Sequence, residues 1–248
     1  MAEVKAYWWN EQAAGVANFG DALNPFLLKR FAGVDANWAS ISNASIVSTG
    51  SLLEHIPPLW DGTILGTGKL FGDSRLSLYT YTANILALRG PLSASGIKGD
   101  YAIGDPGLLA DELVADDVDG REYDLGLVPH WSDPSLLGRP EFYNNKWRTT
   151  VILPSGDPLE VVRKIGRCKK IVTSSLHGMI VADAWGIPRR LEYAPALKNE
   201  GAMFKFHDYS QSIGAPLEIG KVIEASRFHV EDRKHELWDA FKAFGRLV

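Results

Sequence analysis

Short apolar runs that end in glycine or a small hydroxyl residue recur along this chain, each handing over to a turn or a helical segment. ASIVSTG, GTILGTG and NILALRG in the first half and KKIVTSS in the second are of this kind. A strand that is apolar on both faces is covered by helices on both, and that burial marks a parallel sheet. Parallel neighbours need right-handed crossovers. The pattern commits the chain to an α/β fold, with ligands expected at the carboxyl ends of the strands.

The same reading extends in both directions. VKAYWW is a first strand, followed by the loop EQAAGVANFG and a helix DALNPFLLKRFAG that Asp21 can cap and Gly33 can end. LSASGI is a short helix after NILALRG, and YAIGDPGLLAD reads as strand, turn and helix start. The acidic stretch ADELVADDVDGREYD is low in large apolar residues and is the natural linker. Beyond it the alternation restarts: strands YDLGLVPHW and WRTTVILPS, helix DPLEVVRKIGRC, strand KKIVTSS, helix LHGMIVADAWG and strand PRRLEY. The expected architecture is two Rossmann-like lobes on parallel sheets, residues 1–120 and 121–248, facing across a cleft. In the tail HELWDAFKAFGRLV, Leu237, Trp238, Phe241, Phe244 and Val248 fall near one helical face. That helix either docks across the lobes, the favoured reading, or lies on a membrane surface.

Composition narrows the partners. The 248 residues are 46% hydrophobic and 23% charged, with a net charge of -4, so general affinity for nucleic acid is not expected. An anion site must be local. Cys168, alone of its kind, sits in the periodic run LEVVRKIGRCKKIV and reads as core. The N-terminus lacks a signal-peptide pattern, and no apolar run approaches the ~20 residues of a membrane span; a cytoplasmic protein is expected. No His/Cys cluster has metal-ligand spacing, so neither a metal nor another cofactor is expected.

The segment TSSLHGMIVADAWGIP, Thr173 to Pro188, carries the most chemistry. A strand delivers Ser174 and Ser175 to a helix start, where the N–H groups of Leu176, His177 and Gly178 lack helical partners. Such an end favours an anion, Gly178 would give it clearance, and His177 would be held mainly neutral beside it. A plainer reading stays open: a serine caps the helix and His177 is a buried, hydrogen-bonded ring. NFGDALNP repeats the logic with Asn18, Gly20 and Asp21, again as a ligand loop or simply a capped turn. GTGK brings Lys69 to a strand exit. ALRGPLS does the same for Arg89, whose fork suits a carboxylate or phosphate when it is not spent on an internal ion pair. LVPHW places His130 and Trp131 at another strand exit.

Taken together, NFGD, RGPLS, PH after a strand, SSLHGMIVADAWGIP and FKFHDYS resemble the polysaccharide pyruvyl transferase family, over about Val4 to Tyr209. The resemblance implies an architecture like that of GT-B glycosyltransferases. It implies transfer of a pyruvyl group from phosphoenolpyruvate to two hydroxyls of a saccharide, forming a ketal on an exopolysaccharide or cell-wall glycan. Ser174, Ser175, Leu176 and His177 match the donor-binding segment, with Arg89 as a cationic partner. His177 would serve as general acid or assist phosphate departure, with Asp21 or His130 handling the hydroxyl proton. Lys205 and Asp208 match the downstream segment, either as substrate contacts or as a structural ion pair. The acceptor is free or lipid-linked; in the second case the enzyme would work at the inner face of the plasma membrane. Two rivals remain: a nucleotide-sugar glycosyltransferase of the same fold, and a non-catalytic glycan-binding protein, which the eight Trp would suit. A Rossmann-type oxidoreductase is set aside for want of G-x-G-x-x-G after the first strand.

Overall fold

The computed structural model describes residues 2–10, 18–72, 82–144, 146–195 and 200–248. Residues 11–17 of the expected loop Glu11–Gly20 lie outside them. Among the described residues, eleven strands form two sheets. The first contains β1 (Ala2–Tyr7), β2 (Val34–Trp38), β3 (Ile46–Val47), β4 (Thr63–Leu65), β5 (Asn84–Leu88) and β6 (Ala102–Ile103), in the order β2-β1-β3-β4-β5-β6. Every pairing in it is parallel. The second contains β7 (Leu125–Val128), β8 (Thr149–Val151), β9 (Ile171–Thr173), β10 (Arg189–Leu191) and β11 (Val222–Ile223), in the order β11-β10-β9-β7-β8. Here the expectation of purely parallel sheets needs correcting, because β11 pairs antiparallel with β10 at the edge.

Both sheets start in the middle and wind outward in two directions. Each therefore has a switch point, between β1 and β3 in one and between β7 and β9 in the other. At a switch point the connections leave on opposite sides and open a crevice beyond the strand ends.

The helices depart from expectation in one informative place. The segment 19–32 is not one regular helix. It runs as α1 (Phe19–Ala22) and α2 (Asn24–Leu27), then a wider turn over Leu28–Ala32 that ends at Gly33 with φ +71°. Pro25 lacks an N–H and crowds the preceding turn, so the run restarts there. Asp21 is not the cap: Asn18 holds that position, and Asp21 lies buried in the first turn. The remaining helices are α3 (Pro91–Ala94), α4 (Pro158–Gly166), α5 (Leu176–Ala184), α6 (Glu200–Ser212) and α7 (Arg227–Gly245).

One apolar core runs through both halves. It joins Val4, Ile46 and Leu65 to Ile171, Val181 and Cys168, and then to Leu237, Phe241 and Phe244 of α7. Burial pushes the Cys168 thiol up to about 12, as befits a core residue. The chain's last helix packs on β4, β5 and β6 of the first sheet. Trp238 and Val248, expected on the same face as Leu237, are instead solvent-accessible, and Lys242 Nζ sits 3.9 Å over the Trp238 ring. The acidic stretch after β6 is no free linker either: Val114 is buried, and Asp111 accepts a 2.7 Å bond from the buried Lys234 of α7. No helix among the described residues is long and apolar enough to cross a membrane.

A second tie is ionic. Arg89, at the end of β5, and Asp208 of α6 are both fully buried and paired at 2.9 Å. Asp208 also accepts from the N–H and hydroxyl of Ser93 in α3. Removing one partner of such a pair leaves a buried charge uncompensated. Asp208→Ala is expected to lower stability by about 3–5 kcal/mol, read from urea unfolding; a loss under 1 kcal/mol would show that the pair does not hold α6.

Candidate active site

The two switch points open into a single cavity of about 270 Å³. From the first sheet come Trp9 after β1, Asn18 and Asp21 around α1, and Ser51, Leu52 and His55 after β3. From the second come His130 and Trp131 after β7, and Leu176 and His177 at the start of α5. Leu70 and Lys205 complete the lining. The sequence-expected residues Asn18, Asp21, His130, Leu176, His177 and Lys205 thus share one space, although 187 positions separate the first from the last.

The other expected contacts have different tasks. Ser174 Oγ accepts the N–H of His130 at 2.9 Å, and Ser175 caps α5 by accepting from the Gly178 N–H at 3.4 Å. This leaves the N–H groups of Leu176 and His177 as those of the first turn that the helix cannot satisfy internally. Gly178 gives clearance to the protein, not to a ligand: a Cβ there would overlap Thr173 Oγ1 and press on Val128. Gly20 likewise makes room for a side chain, because a Cβ would overlap the His177 imidazole. Arg89 is corrected from substrate ligand to scaffold. Its three guanidinium nitrogens bond Asp208, Ser51 and the Lys69 carbonyl. Lys69 is not in the cavity lining and contributes its backbone, whose N–H bonds Ser93.

Desolvation dominates the electrostatics. Burial, and beside it the Lys205 and Arg89 cations, pushes His177 down to about 3, so its ring is neutral. The sequence credits the helix end with this effect; burial is the larger cause. His130 is pushed down to about 4 by burial and Lys205, and its Nδ1 lies 2.9 Å from Ser132 Oγ. Lys205 falls to about 8 through burial and Arg89, against the pull of Asp21. Asp21 moves the other way. Burial raises it to about 7, even though Asn18 donates to its Oδ2 at 2.6 Å. The cavity therefore presents a carboxyl that titrates near neutrality, a cation and three imidazoles that burial shifts down, His55, His130 and His177. A proton-transfer group works best with its pKa near the operating pH, and Asp21 fits that description.

A model of the polysaccharide pyruvyl transferase family matches residues 74–190, which include β7, β9 and the His177 helix. Over that stretch the chain is similar to the polysaccharide pyruvyl transferases. The succinoglycan biosynthesis protein ExoV of Rhizobium meliloti (strain 1021) is 27% identical over 243 residues, covering 95% of this chain and 73% of that protein. An uncharacterized protein, L143, of Acanthamoeba polyphaga mimivirus is 26% identical over 215 residues, or 79% of this chain and 71% of that one. No solved structure matches.

Trp9, Ser51, Leu52, His55 and Leu70 escaped the sequence reading. Trp9, Ser51 and Leu52 follow the ends of β1 and β3, so the strand-end rule applied to every strand would have found them. His55 gives no such signal. It sits in a turn (Leu53–His55) and is held 2.6 Å from the Tyr7 hydroxyl.

The Asp21 shift has a measurable consequence. A carboxyl that holds its proton more tightly when folded favours the native state at low pH. That contribution fades as pH rises from about 4 to about 7, on the order of 1.4 kcal/mol per unit. The depressed histidines act in the opposite sense, so the whole-protein profile mixes both. The comparison with Asp21→Asn isolates it: wild type should lose stability relative to the variant between pH 4 and 7 in denaturant titrations. Parallel profiles would contradict the burial.

Proposed function

We propose that this chain transfers the pyruvyl group of phosphoenolpyruvate to two hydroxyls of one sugar unit in an exopolysaccharide, closing a cyclic ketal. The observation that carries the reading is the co-location of Asp21, titrating near 7, with Lys205 and neutral His177 in one cavity. The naming of the Rhizobium relative for succinoglycan biosynthesis supports an exopolysaccharide product. The winding of both sheets around one cavity supports a GT-B-like arrangement. In it residues 1–120 would hold the acceptor and 121–248 the donor.

The donor carries a phosphate and a carboxylate. Lys205 and the free N–H groups of Leu176 and His177 meet that charge. Protonated Asp21 delivers its proton to the methylene carbon, which becomes a methyl group, and the adjacent carbon turns electrophilic. One acceptor hydroxyl adds there and gives its proton to His177, which passes it to the departing phosphate. The second hydroxyl displaces into the same carbon and returns its proton to Asp21. Of the two hydroxyl protons, one replaces that now in the methyl group and the other leaves on phosphate. His177 as acid is the weaker assignment, since an imidazole pushed down to about 3 is unprotonated at neutral pH.

The test is inorganic phosphate release from phosphoenolpyruvate with and without a glucosyl or galactosyl acceptor. Release should depend on the acceptor and be absent with nucleotide sugars. His177→Ala should remain folded by circular dichroism and lose ~10²–10⁴-fold in kcat. Undiminished turnover in that variant, or no stabilisation of wild type by phosphoenolpyruvate in a melting assay, would overturn the reading.

A further inference from the structure

The imidazole of His177 is wedged between two glycines. Gly20 lies against its Nδ1 side, and Gly107 faces its Cδ2 edge. An ideal Cβ on Gly107 would sit 3.6 Å from His177 Cδ2 and 3.1 Å from Asp105 Oδ1. The carboxyl of Asp105 and the inner edge of the imidazole therefore border the same small gap. Asp105 is fully buried, and its Oδ1 accepts the Gly107 N–H at 2.9 Å. Its Oδ2 is buried and has no partner among the described residues, and the same holds for His177 Nε2, the atom bonded to Cδ2. Two groups that border one gap, each with an unpaired buried polar atom, are costly unless something serves both. With Nε2 turned inward, the other ring nitrogen, Nδ1, lies against Gly20 of α1, between the cavity-lining Asn18 and Asp21.

We propose that Asp105 is the positioning residue of His177: its carboxylate takes the Nε2–H through one bridging water molecule. The bridge fixes the neutral tautomer with its lone pair on Nδ1. When Nδ1 accepts the acceptor's hydroxyl proton, the carboxylate balances the imidazolium until that proton leaves with phosphate. Among the described residues the other nearby carboxylates have different commitments. Asp208 is committed to Arg89 and Ser93, and Asp21 is on the cavity side, bonded by Asn18. Around the pair the remaining charged groups are Arg89 and Lys205, both of which disfavour an imidazolium. Burial raises Asp105 to about 6 against the pull of Arg89, so it is largely ionised at neutral pH.

The proposal rests on the reading of His177 as the base, and its test separates the two. Nitrogen-15 spectra of the imidazole in the ligand-free protein should show the Nε2–H tautomer. Asp105→Asn keeps an acceptor for the Gly107 N–H but turns an NH₂ toward the bridging water, so the variant should shift toward Nδ1–H. In turnover it should lose ~10²–10⁴-fold in kcat while phosphoenolpyruvate still raises its melting temperature as in wild type. A wild-type Nδ1–H tautomer, or a variant with unchanged tautomer and kcat, overturns the pairing. If the variant does not fold, the wild-type spectrum decides. If wild type turns over no phosphoenolpyruvate, the functional reading fails and the spectra still judge the pair.

Discussion

The ion pair of Arg89 and Asp208 organises the site without entering it. It lies where the first sheet meets α6, and each partner reaches further: Arg89 to Ser51 on the cavity wall, Asp208 to Ser93 at the start of α3. Lys205 stands three residues before Asp208 on α6, so fixing Asp208 aims Lys205 into the cavity one turn earlier. The Arg89 charge also helps to depress both Lys205 and His177. A residue that resembles a substrate ligand in the sequence acts instead as a fixed cation behind the wall. Its field sets which nearby groups are charged before any ligand arrives.

Much of this was legible in the residues. Strands that end in small residues mark the switch points, and of the candidates drawn from those ends His130, Leu176 and His177 met in one space. The failures have identifiable causes. β2 (VDANW) was missed because it is an edge strand in which only Val34 is fully buried, so its pattern is weak. Arg89 was misassigned because its partner lies 119 positions away, beyond the reach of any local pattern. The glycines misled for a similar reason. A glycine beside a likely ligand suggests clearance for that ligand, yet Gly20 and Gly178 clear His177 and Thr173. Only the packing reveals what fills the space a missing side chain leaves.

The charge pattern of the cavity is counter-intuitive for the trianionic donor we propose. The three histidines of the lining are all pushed down by burial, and a carboxyl is present. Burial reconciles the two: it keeps the imidazoles neutral and raises the carboxyl toward neutrality. In the proposed reaction, affinity rests on Lys205 and backbone N–H groups, and the titrating side chains are left free to move protons.

The position of α7 bears on how the chain becomes a protein at all. This helix is synthesised well after β6, yet it covers β4, β5 and β6. Until it arrives, one face of the first sheet has lost neither its water nor its tendency to pair with other exposed apolar surfaces. Lys234 of the same helix closes on Asp111, just past β6, and on the Ala184 carbonyl at the end of α5. Docking of α7 thus ties both halves at once.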